Sequence, residues 1–112
     1  MRLDPFLTRL DALVAGGAGQ HPARLCFDLA ASTGATVEFA GPEGQALGPD
    51  DWERWQAAGG PDPFVDHEGR ATLRVQASHR ITDWVVLNAR FTPDGLVVEH
   101  RYTMLRSWVT NS

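Results

Sequence analysis

The chain contains no lysine; all ten of its basic residues are arginine. High Ala, Gly and Pro content accompanies that bias, a combination that coding preference in a GC-rich genome produces. The arginines form no cluster and the net charge is −4, so nucleic-acid binding is not expected. A single cysteine, Cys26, excludes an internal disulfide and any cysteine-based zinc site, and it suits a reducing cytoplasm. No apolar run approaches the roughly 20 residues that a membrane-spanning helix needs. The first ten residues, MRLDPFLTRL, carry acids and a helical pattern instead of the apolar centre of a signal peptide. A cytoplasmic protein without a membrane segment is expected. No P-loop, dinucleotide fingerprint, nucleophile elbow or metal motif occurs, so neither a cofactor nor a metal is expected.

What is present starts with size. A chain of 112 residues reads as one domain over 1–112. Folding at this length buries roughly 65% of the unfolded surface, enough for one modest core without metal or disulfide. The stretch 71–105 then dominates. ATLRVQASHR, DWVVLNARF and LVVEHRYTML carry β-branched and aromatic residues in alternation, and TPDG separates the last two. Such alternation marks half-buried strands, here a three-stranded antiparallel meander.

Asp4-Pro5 suits a helix start. Leu3, Phe6, Leu7, Leu10, Leu13 and Val14 then form one apolar stripe, and Gly16-Gly17 ends it. A helix over about 4–15 follows. Residues 23–40 admit two readings. As strands, Leu25, Phe27 and Leu29 alternate with Arg24, Cys26 and Asp28. Ala35, Val37 and Phe39 resume the alternation after Thr33-Gly34. As a helix, Leu25, Cys26 and Leu29 make a stripe. Two alternating runs around a Gly turn favour the hairpin. GPEGQALGPD reads as loop. Pro49, Asp50 and Asp51 open a second short helix bearing Trp52 and Trp55, which Gly59-Gly60 stop. The expected fold is α+β, an antiparallel sheet of about five strands in the order α-β-β-α-β-β-β, with helices packed on one face.

In the meander, Leu73, Val75 and Ala77 share a face, as do Val85, Leu87, Ala89 and Phe91. Simple alternation puts Leu96, Val98, His100, Tyr102 and Met104 together. The other face carries Trp84, Val86, Val97 and Leu105, mixed with Arg90, Glu99 and Arg101. Both faces are therefore apolar in part. The second face is expected to meet a homodimer mate or another protein, unless the second helix or the 59–70 loop folds over it with Trp52 or Phe64 as cover.

The candidates for chemistry are weak. His79 and His100 lie on neighbouring strands and could act as acid–base groups, although a half-buried packing histidine is the commoner case. Asp28 with Arg24 could line a pocket if 22–32 is helical; on a hairpin both are solvated. Asp66-His67-Glu68 is the densest ionisable triplet, yet three consecutive residues cannot all point at one ion. Tryptophan and arginine are enriched at binding hot spots. Trp84, Arg90, Arg101, Trp108 and Trp52 are accordingly the binding candidates, with core packing as the plainer role for the tryptophans.

The stretches ARLCFDLAASTGATVEFAG and DWVVLNARFTPDGLVVEHRYTM resemble, in element order and strand pattern, the YezG-like family of bacterial toxin-immunity proteins. That resemblance implies a cytoplasmic, non-catalytic protein that binds and blocks a toxin. GPEGQALGPDDWERW and NARFTPDGLVVEHRY are also similar to segments of the NTF2-like (SnoaL-like) superfamily. This second resemblance implies a cone-shaped α+β pocket for a small apolar ligand, and it requires 22–32 to be helical. The expected function is a small protein-binding module, non-catalytic; the alternative is an NTF2-like pocket protein that binds or transforms a small apolar ligand.

Overall fold

The computed structural model describes residues 3–16, 19–76 and 84–104. Three helices, α1 (Leu3–Gly16), α2 (Pro22–Thr33) and α3 (Pro49–Ala58), accompany five strands: β1 (Thr36–Ala40), β2 (Ala46–Leu47), β3 (Arg70–Gln76), β4 (Trp84–Thr92) and β5 (Gly95–Met104). The strands form one antiparallel sheet in the order β2-β1-β3-β4-β5. The α+β class and the five-stranded antiparallel sheet agree with the sequence pattern.

α1 forms where the stripe predicts it. Leu3, Phe6 and Leu10 are buried against the sheet, with Leu7 and Val14 partly covered. Leu13 completes the stripe in sequence but is 40% exposed, because it lies at the margin of the packed face. Burial of a side chain such as Phe6 or Leu10 contributes about 1.5–3 kcal/mol.

Residues 22–33 correct the favoured hairpin: they are a helix. The sequence around Leu25 satisfies both periods, and three features decide for 3.6. Pro22 occupies the first turn, where its missing N–H costs nothing. The His21 side chain accepts from Ala23 N–H and so caps the start. Gly34, at φ 77°, is the left-handed C-cap, and Ala35 N–H returns to Ala30 O. The glycine that reads as a hairpin turn is thus a helix stop. The helix buries Ala23, Leu25, Cys26, Phe27, Leu29 and Ala30, too wide an apolar surface for one strand face.

The fifth strand comes from the segment read as loop. Gly41 to Gln45 turn the chain, with Gly41 N–H donating to Gln45 O, and Ala46–Leu47 pair back onto β1. α3 follows, started by Pro49 and by Asp51, whose carboxylate accepts from Gly48 N–H at 2.8 Å.

α1 lies over β5 and β4, α2 over β1, and α3 against α2 and β2. The core joins Phe6, Leu10 and Leu29 of the helices to Val37, Phe39, Leu73, Val75, Leu87 and Ala89 of the sheet. The opposite sheet face, called outer below, carries the alternate residues of each strand.

One irregularity in β5 rearranges the expected faces. Asn88 pairs with His100 but Ala89 pairs with Val98, so Glu99 is an extra residue, a β-bulge. Beyond it the parity inverts. Leu96 packs on the core, whereas His100 and Tyr102 pair with the outer residues Asn88 and Val86. The expected single face of Leu96, Val98, His100 and Tyr102 is therefore split. Arg101 is corrected in the opposite sense: it pairs with the core residue Leu87 and its Nη1 reaches Asp4 Oδ1 of α1 at 3.0 Å.

Candidate functional site

The outer face is built in cross-strand rows. Glu38, Arg74, Val86 and Tyr102 form one row; Thr72, Asn88 and His100 the next; Arg70, Arg90 and Val97 the third. Within these rows Arg74 bridges Glu38 at 2.9 Å, and Thr72 Oγ1 donates to Asn88 Oδ1 at 3.0 Å. Arg70 contacts Glu68 at 2.9 Å and the bulge residue Glu99 at 3.4 Å. Val86 is only 4% exposed, yet it is no member of the core cluster under the helices. Arg74 lies beside it in register, and the Nε atoms of Arg74 and Arg90 on this face are out of contact with solvent. Tyr102 (55% exposed) and Val97 (40%) stand open, while Trp84 is half-buried.

Trp52 and Phe64, the side chains considered as cover for this face, lie elsewhere, although the 61–66 loop borders it. Phe64 is buried in the core, edge-on to Phe39 and Phe27. Trp52 packs with it at 5.7 Å and with Trp55 at 5.5 Å. Both belong to the helix side. Tertiary folding makes an aromatic cluster there: the spacing of Trp52 and Trp55 on one helix face marks part of it, but nothing local brings in His21. His21 sits among Trp52, Trp55 and Phe64, at centroid distances of 4.9, 5.4 and 6.3 Å. Its Nε2 donates to Asp62 Oδ2 at 2.6 Å, and Asp62 Oδ1 accepts from the N–H groups of Phe64 and Val65. Both ring nitrogens are engaged, Nδ1 by Ala23 N–H and Nε2 by Asp62. Neither is available to take a proton from a substrate. This pair ties the start of α2 to the 59–70 loop.

Open clefts border two of these regions. One, of about 450 Å³, lies between α2 and α3 and is lined by Arg24, Phe27, Asp28, Trp52 and Glu53. The helix therefore does bring Asp28 and Arg24 to a cleft, but to its rim. Asp28 is 70% exposed and 3.6 Å from Arg24, an ordinary i,i+4 surface pair. The other, of about 400 Å³, lies under the 61–66 loop beside Arg70, Thr72, Asn88 and Glu99. The sheet face beneath the helices is filled by the core side chains already named.

Among the sequence candidates, Trp84, Arg90 and His100 share the outer face, and Arg101 leaves it. His100 is exposed. His79, Trp108, Ala77 and Leu105 lie outside the described residues. In the Asp66-His67-Glu68 triplet, Asp66 Oδ1 accepts from the N–H of Arg70, chiefly, and from that of Glu68, which holds its carboxyl below the usual range. His67 is 89% exposed and Glu68 turns to Arg70. The triplet shapes a turn, and no group of three or more His, Cys, Asp or Glu suited to a metal occurs among the described residues. Cys26 is fully buried, and burial pushes its thiol far up. No helix among the described residues is long and apolar enough to cross a membrane.

No protein-family model, no curated protein and no solved structure matches the chain.

Proposed function

We propose that the protein is a non-catalytic binding module that takes another polypeptide on its outer sheet face. The observation that carries this reading is the composition of that face. It holds Trp84, Val86, Val97 and Tyr102 on the side of the sheet away from α1, α2 and α3. Aromatic and arginine side chains on a sheet supply large contact area at low entropic cost, the chemistry of interface hot spots. The sheet edge is a poorer docking element than the face. The bulge at Glu99 interrupts the ladder of β5, and bulges blunt edges against strand addition. A toxin-blocking immunity factor is one form such a module takes, in keeping with the YezG-like resemblance.

The pocket-protein alternative has one feature in its favour, the helical α2 that it requires. Against it stands a helix–sheet interior occupied by Phe6, Phe27, Phe39 and Phe64.

A photo-crosslinking amino acid placed at Val97 or Tyr102 tests the docking reading in cells that make the protein. Discrete polypeptide adducts are expected from both positions and none from Leu13, which is exposed on α1. Adducts at Leu13 alone would move the interface to the helix layer and defeat the reading.

A further inference from the structure

The outer face pairs its charges unevenly: Arg70 takes two carboxylates, Arg74 one and Arg90 none among the described residues. Register places Arg90 directly opposite Arg70, and like charges across a ladder repel. Arg70 is compensated by Glu68 and Glu99, and Arg74 by Glu38. Among the described residues, Arg90 has no carboxylate within ion-pair distance. Its Nε is sealed from solvent and makes no hydrogen bond among the described residues. The stem therefore lies pinned on the sheet. On its other side in register is Val97, 40% exposed.

We infer that the outer face recognises a carboxylate-bearing segment of a different protein, with Arg90 as its anchor; this rests on the docking reading above. A guanidinium fork matches the two oxygens of a carboxylate, and a charge-assisted pair of this kind is about twice as strong as a neutral hydrogen bond. A pinned stem has less freedom to lose on binding. The segment that fits carries an Asp or Glu flanked by apolar side chains: the acid meets Arg90, and its neighbours cover Val97 and Tyr102. A second copy of this chain fits less well. A two-fold contact apposes the same patch to itself, and the carboxylates of that patch, Glu38, Glu68 and Glu99, are already engaged by Arg74 and Arg70. A nucleic acid also fits less well, since Glu38 and Glu99 lie in the same rows and the chain is net acidic.

Side-chain NMR of the full chain tests this, with the Arg90 Nε–H, the Trp84 indole N–H and the Tyr102 ring as reporters. The probes are a capped Leu-Glu-Leu-Glu-Leu peptide, its Leu-Gln-Leu-Gln-Leu counterpart and inorganic phosphate. The Glu peptide is expected to move all three reporters and to bind about tenfold more tightly than the Gln peptide. Arg90→Gln should bring the Glu peptide down to the level of the Gln peptide. Arg90→Lys, which keeps the charge and loses the fork, should fall between. Unchanged backbone spectra outside β3, β4 and β5 establish that the variants fold. Equal binding of the two peptides would overturn acid recognition and leave the docking reading standing. A phosphate response equal to that of the Glu peptide would overturn it as well. Dimerisation of the free chain that Arg90→Gln abolishes would make a second copy the occupant and overturn the inference. Reporters that respond to neither peptide, together with no crosslinks at Val97 or Tyr102, would remove both readings.

Discussion

His21 Nε2 donates to Asp62 Oδ2 at 2.6 Å across 41 positions of sequence, while His21 Nδ1 accepts from Ala23 N–H at 3.0 Å. One imidazole thereby caps a helix and anchors a loop. The two bonds also fix the tautomer, because the nitrogen that accepts from a backbone amide cannot carry the proton. Asp62 in turn receives the amides of Phe64 and Val65, and Phe64 is part of the core.

His21→Ala should therefore cost about 2 kcal/mol, roughly half from the cap and half from the lost bond to Asp62. His21→Asn restores a capping side chain without the reach to Asp62 and should recover about 1 kcal/mol of that. Urea denaturation of the three proteins measures both. A cost for His21→Ala below about 0.5 kcal/mol, the level of an ordinary surface change, would show that the aromatic cluster holds the loop without the histidine.

Gly95 closes the β4–β5 turn at φ 136°, and a Cβ there would collide with Asp11 Oδ1. That carboxylate accepts from Leu96 N–H at 2.8 Å, so α1 and the hairpin meet at this point. Gly95→Ala should destabilise by about 1–3 kcal/mol through backbone strain and the displaced carboxylate. In an Asp11→Ala background the collision is gone and the strain remains, so the cost should shrink without vanishing. A double-mutant cycle reads the difference; an equal cost in both backgrounds would assign the whole effect to the backbone.

Acid should weaken the start of α3. Asp51 is held below the usual carboxyl range, chiefly by the Gly48 N–H and then by the Arg54 side chain. A depressed folded-state value means that the unfolded chain binds the proton more readily. The stabilisation is thus present above the ordinary Asp value near 3.8 and is lost as pH falls through the lower folded value. Wild type should exceed Asp51→Ala by about 1 kcal/mol at neutral pH. The gap should narrow below pH 4 in denaturation curves taken across the acid range. A gap that is constant down to the lowest pH at which the chain folds would contradict this account.

Cys26 should resist thiol reagents in the native protein. It is fully buried on the inner side of α2, and desolvation pushes its thiol up, so little reactive thiolate forms. Labelling by a disulfide reagent should proceed only through opening of the fold and should accelerate with denaturant in step with unfolding. Rapid stoichiometric labelling without denaturant would mean that α2 opens readily.

Sequence alone determined the parts where one period has no rival. The stripe of Leu3, Phe6 and Leu10 could only be a helix facing a core. Leu73, Val75, Leu87 and Ala89 alternate cleanly and became the buried sheet face, with Val85 partly covered beside them. Asp51 and Pro49 marked the start of α3. Part of the outer face was legible too: alternation put Trp84, Val86 and Arg90 on one face of β4, but not the register that sets Val97 beside Arg90.

Tertiary structure decided the rest, each time because a local pattern served two geometries. Leu25, Phe27 and Leu29 fit a strand as well as a helix. The choice came from packing of Cys26 and Ala30 on the other side and from a cap whose histidine is fixed by Asp62, far away in sequence. Gly34 offers a left-handed residue, which suits a turn and a helix stop alike. The bulge at Glu99 left no mark in the alternation, since one unpaired residue changes no residue type. It is visible only when β5 is laid against β4, and it is what sends Arg101 to Asp4 and leaves Tyr102 beside Val86 on the open face.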